Sequence, residues 1–201
     1  MTRLLPGILA MAAVVVASNI LVQFLFGNWL TWGAFTYPLA FLVTDITTRL
    51  YGAAAGRKVV LAGFATGVAC SFIAAGFDAT TFRIALGSGA AFLTAQLVDV
   101  SIFDRLRDRA WWRAPLASTL VGSTLDTAIF FTIAFSASLA FLDPGADVAW
   151  AAEALPLLGL GPVVPLWVSL AVADWGVKLV LALLALVPFR LIVARAARSP
   201  A

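Results

Sequence analysis

Long apolar stretches alternate with short polar breaks along this chain. Six stretches each contain about 20 mainly apolar residues, which is the length that one helix needs to cross a bilayer. They cover residues 5–26, 33–51, 59–77, 83–104, 115–141 and 163–189. Turn-forming glycines or a run of charges separate them, and residues 142–162 form the one long connection. The pattern predicts an all-α membrane protein, a single transmembrane domain over residues 1–201 that folds as a six-helix bundle with an outer loop at 142–162.

Composition supports lipid as the solvent for much of this protein. Hydrophobic residues make up 63% of the chain and charged residues only 11%, whereas soluble domains carry about 25% charged residues. A soluble fold needs those charges to cover its surface. The net charge of +3 does not indicate a nucleic-acid partner, because the basic residues lie at the predicted helix ends and form no separate patch. We therefore expect the bilayer as the partner of the outer surface.

The distribution of Lys and Arg predicts the orientation. With six alternating helices, eleven of the thirteen basic residues fall on one side: Arg3, Arg49, Arg57, Lys58, Arg105, Arg107, Arg109, Arg113, Arg190, Arg195 and Arg198. Basic loops stay in the cytoplasm. An odd number of helices would divide these residues between both sides. We therefore expect a multi-pass membrane protein with both termini in the cytoplasm.

Four acidic residues lie inside predicted helices, where they are unfavourable. Asp45, Asp99, Asp126 and Asp174 occupy four different helices. Each costs about 2.5–3.5 kcal/mol at the centre of an inserted helix. Such residues face the bundle interior or a water-filled space and have partners. We expect the four carboxyl groups to converge on a shared wet cavity.

Other polar residues recur at spacings that place them on one helix face. Residues three or four apart are neighbours on a helix, and six such pairs occur: Asn19 with Gln23, Thr44 with Thr48, Asp45 with Arg49, Gln96 with Asp99, Ser123 with Asp126, and Asp174 with Lys178. Structural roles remain open for several of them. Asp45 with Arg49 and Asp174 with Lys178 also suit simple ion pairs, and the amides suit hydrogen bonds between helices. Asp126 has no cation within four residues, so it needs a partner from another helix or a ligand.

Two aromatic residues adjoin the acids. Phe41 precedes Asp45 by one helical turn, and Trp175 follows Asp174 directly. A flat ring could stack between such side chains while an aspartate binds its polar edge. Packing against lipid or other helices is the alternative for each. Gly63 and Gly67 form a GxxxG pattern, which is typical of close helix packing.

Several kinds of chemistry are missing from the sequence. It has no His, so the commonest metal ligand and proton relay at neutral pH are absent. Cys70 is alone, which excludes an intramolecular disulfide and a cysteine-based zinc site. No P-loop, HExxH or GxSxG motif occurs. We expect no catalytic residues, no metal site and no cofactor, and hence no enzyme.

Several motifs resemble the VUT family of queuosine precursor transporters. They are TYPLAFLVTD at 36–45 followed by RLYG at 49–52, RIAL at 83–86, AQLVDV at 95–100 with Phe103, WWRAP at 111–115 with Ala117, Ser118 and Thr119, Ser123 with Asp126 and Thr127, and Asp174 with Lys178. Together they span most of residues 18–190. The family resemblance implies helices similar to the membrane substrate-binding subunits of energy-coupling-factor vitamin transporters. It also implies uptake of 7-cyano-7-deazaguanine and 7-aminomethyl-7-deazaguanine without a separate ATPase.

The resemblance and the polar pattern lead to one site prediction. A deazaguanine presents a ring N–H beside an amine, and one carboxylate can accept both. We expect Asp126 and Asp45 to contact that edge, Asn19, Gln23 and Gln96 to add hydrogen bonds, and Phe41 and Trp175 to stack. Asp174, Lys178, Asp99 and Arg49 are expected to be structural or to couple an ion. Alternatives are a substrate-capture subunit of a multi-component vitamin or nucleobase transporter and, less favoured, an intramembrane enzyme. Assembly as a homo-oligomer stays open.

Overall fold

The computed structural model describes residues 2–198, and helices account for most of them. A short 3-10 turn at Thr2–Leu4 leads into the first α-helix. The α-helices are α1 (Leu5–Leu21), α2 (Gly33–Thr36), α3 (Leu39–Tyr51), α4 (Ala53–Ala75), α5 (Phe82–Leu106), α6 (Arg113–Phe135) and α7 (Leu166–Ala196). The prediction of an all-α membrane protein is confirmed at this level.

Two small hairpins lie at the end of the molecule opposite the basic loops. β1 (Leu25–Phe26) pairs antiparallel with β2 (Leu30–Thr31), and β3 (Ala154–Pro156) pairs antiparallel with β4 (Val163–Pro165). Three 3-10 turns occupy Ala137–Leu142, Ala149–Ala152 and Leu157–Gly159. The predicted outer loop at 142–162 therefore contains local structure that runs up to the start of α7.

Several helices differ in extent from the predicted segments. α4 begins at Ala53, six residues before the predicted start, and α7 ends at Ala196, seven residues after the predicted end. α1 ends at Leu21, five residues before the end of the predicted stretch, because the chain turns into the β1–β2 hairpin. The stretch 33–51 divides at Pro38, whose nitrogen cannot donate a helical hydrogen bond. α6 ends at Phe135, where Ser136 adopts an extended conformation. Apolar composition predicts a span, but local backbone geometry decides where a helix ends.

Within residues 2–198, four helices are long and apolar enough to cross a membrane: α4, α5, α6 and α7. α1 and α3 are shorter, with 17 and 13 residues. At 1.5 Å per residue, these correspond to about 25 Å and 20 Å, against about 30 Å for the hydrocarbon core. Many large apolar side chains face outward on the long helices, including Phe72, Ile73, Leu184 and Val187. The chain is a multi-pass membrane protein.

Helix α3 lies at the centre of the bundle and contacts each of the other six described α-helices. Around it, α1 packs against α4, α4 packs against α5, and α6 packs against both α5 and α7. Gly63 lets α4 approach its neighbours closely, since a Cβ there would lie 2.5 Å from the Met11 side chain and 2.9 Å from that of Phe92. This close packing agrees with the expected role of Gly63 in the GxxxG pattern.

Arg83 joins α5 to the end of α6 opposite the basic loops. Its side chain is almost fully buried, its Nε donates to the Ile133 carbonyl over 2.7 Å, and its guanidinium also donates to the Ser136 carbonyl. The last carbonyls of a helix have no partner within the helix, so a cation there satisfies them and complements the helix dipole. Arg83 therefore holds two helices together at this end.

Candidate functional site

A stripe of small and polar residues runs along the buried face of α6. Its members recur at spacings of three and four, which place them on one helix face, and they are all buried: Pro115, Ser118, Thr119, Gly122, Ser123, Asp126 and Thr127. Small side chains let α3, α5 and α7 approach this face. The stripe brings polar groups from four helices together in the interior of the bundle.

One end of the stripe forms the lysine cluster, which consists of Tyr37, Asp126, Thr127, Asp174 and Lys178. The ammonium of Lys178 lies 2.6 Å from Asp126 Oδ2 and 2.5 Å from Asp174 Oδ2. It also donates to Thr127 Oγ1 over 3.0 Å, and Thr127 donates to Asp174 over 2.9 Å. Lys178 therefore supplies Asp126 with a cation from another helix.

Tyr37 completes the lysine cluster from the junction between α2 and α3. Its hydroxyl donates to Asp126 Oδ1 over 2.8 Å, and its ring lies 5.4 Å from the Lys178 ammonium. Both carboxylate oxygens of Asp126 thus have a donor. The cluster is a fully connected network, which is the condition under which buried polar groups stabilise one arrangement of helices.

The other end of the stripe contains the aspartate pair, which we define as Asp45 and Asp99. Ser118 donates to Asp45 Oδ1 over 3.2 Å and Thr119 donates to Asp45 Oδ2 over 3.3 Å. The carboxyl group of Asp99 is the neighbouring acid of Asp45. Both side chains are buried, Asp99 completely. The described residues bring no cation into an ion pair with either acid.

Several buried polar atoms around the aspartate pair lack a hydrogen-bond partner among residues 2–198. Both carboxyl oxygens of Asp99 are among them, together with Thr48 Oγ1 and one end of the Gln96 amide. The other end of that amide bonds to Thr44 Oγ1 over 2.6 Å. Buried polar groups in folded proteins are nearly always paired. The unpaired polar atoms of the described residues therefore lie together, on α3 and α5.

A small cavity of about 10 Å³ lies beside Asp45. Its wall includes Phe41 and Thr119, and the α7 side chains opposite them are apolar: Leu181, Ala182, Ala185 and Leu186. A cavity of this size holds about one water molecule. The interior is therefore closely packed here, in contrast to the wide shared cavity that the sequence predicts.

Phe41 is held against the backbone of α6. A Cβ at Gly122 would lie 2.7 Å from Phe41 Cε1, so glycine is needed for the ring to sit where it does. The side chain is 1% exposed. Phe41 and Asp45 thus share one face of α3, as the four-residue spacing predicts, and both border the cavity.

The two polar clusters are separated along α6. Ser118 and Asp126 are eight positions apart, which corresponds to about 12 Å along the helix axis. The aspartate pair lies nearer the end of the bundle that carries Arg105 and Arg113, which we call the basic end. The lysine cluster lies near the middle of α6. The four helical acids converge on one stripe, but as two clusters and not as one.

Four predicted site residues lie away from both clusters. Asn19 donates to the Val15 carbonyl of its own helix over 2.9 Å. Gln23 is exposed in the turn after α1. Trp175 lies on the outer surface and donates to Thr124 over 3.1 Å, because consecutive helical residues point about 100° apart. Arg49 donates to the Arg107 carbonyl at the end of α5 and forms no ion pair with Asp45 within the part of the chain described.

The predicted site left out four residues that the structure places in the clusters, although the family motifs contain them: Tyr37, Ser118, Thr119 and Thr127. The regular spacing of small and polar residues on α6 could have identified the last three. Tyr37 carries no such signal, because its partner lies 89 residues away in the chain. Within residues 2–198, no group of three or more potential metal ligands of the His, Cys, Asp or Glu type occurs.

Comparisons with known proteins agree with this architecture. The family described as "Putative vitamin uptake transporter" matches residues 31–193. The chain is 39% identical over 141 residues to the queuosine precursor transporter of Escherichia coli (strain K12), a match that covers 61% of this chain and 64% of that protein. It is 34% identical over 134 residues to the probable queuosine precursor transporter of Bacillus subtilis (strain 168), covering 55% of this chain and 58% of that protein.

The match to the probable queuosine precursor transporter of Haemophilus influenzae (strain ATCC 51907 / DSM 11121 / KW20 / Rd) is similar, with 39% identity over 137 residues. It covers 60% of this chain and 57% of that protein. The chain thus spans less than two thirds of the length of each of these relatives. No solved structure gives a significant match.

Proposed function

This chain belongs to the family described as "Putative vitamin uptake transporter", and we propose that it carries queuosine precursors across the inner membrane of a bacterial cell. The transported molecules are 7-cyano-7-deazaguanine, 7-aminomethyl-7-deazaguanine or both. The names of its relatives support this substrate class. A polar stripe inside an otherwise apolar bundle supports transport through the interior, because such residues are unfavourable in a membrane without a functional use.

One observation carries the proposed binding site: the carboxyl group of Asp45 and the ring of Phe41 line the same buried cavity. The carboxylate can accept the ring N–H and the amine of a deazaguanine together. Stacking of a base on an aromatic ring contributes about 1–3 kcal/mol. Thr119 lies in the same wall and can reorient its hydroxyl toward the base.

The lysine cluster suits a different role. Both oxygens of Asp126 already accept strong hydrogen bonds, from Tyr37 and Lys178. A base would have to displace one of these donors. We therefore assign the base edge to Asp45 rather than Asp126, with Gln96 as a further hydrogen-bonding group. The lysine cluster holds α6 and α7 in register near the middle of the bundle.

The structure suits the closed form of such a carrier. The cavity is too small for a bicyclic base, and its opposite wall consists of apolar α7 side chains including Ala182 and Ala185. These side chains make no polar contact with α3, so α7 can separate from α3 without breaking a hydrogen bond there. We propose that α7 moves away from α3 to admit the base.

Six membrane crossings fit this proposal, with α2 and α3 together forming the second. The Lys- and Arg-rich basic end then faces the cytoplasm, together with both termini. The likeness to substrate-binding subunits of energy-coupling-factor transporters remains a prediction from the resemblance.

The test is uptake of labelled 7-cyano-7-deazaguanine by vesicles that contain only this purified chain. We expect uptake by the wild type, and a reduction of about 10- to 100-fold in apparent affinity for Asp45→Asn, because a hydrogen bond to a charged group is worth about 1.5–3 kcal/mol. The exposed Asp147→Asn is the matched control and should transport normally. Binding without uptake would indicate a substrate-capture subunit that needs partners. Normal uptake by a well-inserted Asp45→Asn would exclude the assigned site.

A further inference from the structure

The aspartate pair poses a problem that the transport proposal does not solve. Asp45 and Asp99 approach each other in the interior of the bundle, and both are buried. Two carboxylates at such short range repel strongly, and this repulsion is largest where water is absent. The described residues supply no cation to either acid.

Hydrogen bonding makes the problem specific to Asp99. Asp45 accepts from the hydroxyls of Ser118 and Thr119, whereas neither oxygen of Asp99 accepts a hydrogen bond from residues 2–198. Ser118 lies near both acids, but its single hydroxyl proton can serve only one acceptor. The water-sized cavity does not reach Asp99, which is absent from its wall. A fully buried carboxylate without any donor is very unfavourable.

One added proton removes both difficulties. A protonated carboxyl group has an O–H donor, so a proton on the pair would form a hydrogen bond between Asp99 and Asp45. It would also leave one negative charge in place of two. The same arrangement, in which two close carboxyl groups share one proton, occurs in aspartic proteases.

We propose that Asp45 and Asp99 form a proton-binding site, and that the closed bundle forms only with one proton on this pair. When the bundle opens toward water, both carboxylates become hydrated and the proton leaves. The balance is one proton bound on closing and one released on opening, with no other group changing its charge. This inference does not depend on the identity of the transported molecule.

Other charged groups on the surrounding helices do not provide an alternative. Arg49 on α3 bonds to the Arg107 carbonyl, and Asp104 on α5 pairs with the Arg107 side chain. Arg57 and Lys58 at the start of α4 and Arg113 on α6 are exposed. The remaining charges on α6 and α7 near the middle of the bundle pair with each other in the lysine cluster. The charge that acts on Asp45 directly is that of Asp99.

The sign of the pH effect follows from proton counting. In the unfolded chain, Asp has a pKa of about 3.9, so above about pH 5 the two carboxyl groups hold almost no proton there. The folded pair holds one. The bound proton therefore stabilises the folded protein at low pH, and this stabilisation is lost as the pH rises. The unfolding equilibrium constant increases about tenfold per pH unit over the range in which the folded pair keeps its proton.

The experiment measures unfolding of the full-length protein in detergent between about pH 5 and 8, for the wild type, Asp99→Asn, Asp45→Asn and the exposed control Asp147→Asn. We expect the tenfold dependence in the wild type and the control. We expect it to vanish in Asp99→Asn, whose amide donates to Asp45 without a titrating proton. Equal pH dependence in the wild type and Asp99→Asn would overturn the proposal.

A second measurement needs no variant to fold. Infrared spectra of the wild type with and without ¹³C-labelled aspartate should differ by the C=O band of a protonated aspartic acid at neutral pH. A spectrum with only ionised aspartates would exclude the site. Stability that depends on Na⁺ at constant pH, compared with choline, would identify a sodium site and also overturn the proposal.

Discussion

The ammonium of Lys178 on α7 lies 2.6 Å from a carboxylate oxygen of Asp126 on α6, and both side chains are 4% exposed. The same ammonium lies 2.5 Å from Asp174, one turn earlier on its own helix. One lysine thus forms ion pairs with acids on two helices in the interior of a membrane protein. Its contribution to stability follows from what remains when it is removed.

Lys178→Met should destabilise the protein by about 3–5 kcal/mol, because the change leaves buried carboxylates without their cation. Met has a similar length and makes no ion pair. The free energy of unfolding in detergent measures the effect. Lys58→Met, at an exposed position on α4, is the control and should change stability little.

A second variant separates charge from packing at this position. Lys178→Met combined with Asp174→Asn removes one of the two uncompensated charges, so part of the lost stability should return. If Asp174→Asn lowers the stability of Lys178→Met by as much as it lowers that of the wild type, the lysine acts through packing and not through charge.

Gly122→Ala should disturb the position of Phe41. The added Cβ would lie 2.7 Å from the ring, and overpacking of this kind costs about 1–3 kcal/mol. The free energy of unfolding should fall by that amount, and precursor uptake should fall with it.

The chain provides a matched control for this change. Gly176→Ala adds the same atom where nothing lies within 4 Å, and we expect normal stability and uptake. The double variant Gly122→Ala with Phe41→Leu should recover stability, because the smaller side chain makes room for the methyl group. Additive losses in the double variant would contradict the contact.

Arg83→Met should weaken the attachment of α5 to α6. Removal of the guanidinium leaves the Ile133 and Ser136 carbonyls without their donor, which corresponds to roughly 2–4 kcal/mol for two buried acceptors. Thermal unfolding in detergent measures the loss. Arg57→Met, at an exposed position, should have almost no effect, and equal effects of both variants would argue against a specific role of Arg83.

Phe41 and Trp175 should differ in their effect on transport. Phe41→Leu removes the ring beside Asp45, so the apparent affinity for 7-cyano-7-deazaguanine should fall about tenfold. Trp175→Phe changes a side chain on the outer surface and should alter affinity by no more than about twofold. Initial uptake rates at several precursor concentrations decide between the two. The reverse order of effects would place the stacking site near α7.

Cysteine labelling tests the proposed orientation. In a Cys70→Ala background, Asp108→Cys places a thiol at the basic end and Asp147→Cys places one at the opposite end, both at exposed positions. A membrane-impermeant maleimide should label the second in intact cells and the first only after permeabilisation, because basic loops stay in the cytoplasm. Labelling in the opposite order would show that the basic end faces away from the cytoplasm and would contradict the proposed orientation.

The apolar pattern by itself determined that this is an α-helical membrane protein. It also determined which acids are buried, because hydrocarbon-length segments leave few places for Asp45, Asp99, Asp126 and Asp174 except the bundle interior. Spacing of four residues placed Phe41 and Asp45 on one face of α3. These inferences succeed because they depend on contacts within one helix, whose geometry is set by the backbone.

Only the tertiary structure decided that the four acids form two separate clusters. It paired Lys178 with Asp126, brought Tyr37 to the same carboxylate and left Asp99 facing Asp45 without a donor. It also turned Trp175 outward and placed Gln23 beyond the end of α1. These facts depend on the rotation and depth of each helix relative to its neighbours. Packing of side chains from distant parts of the chain sets both, and periodicity within one helix carries no information about either.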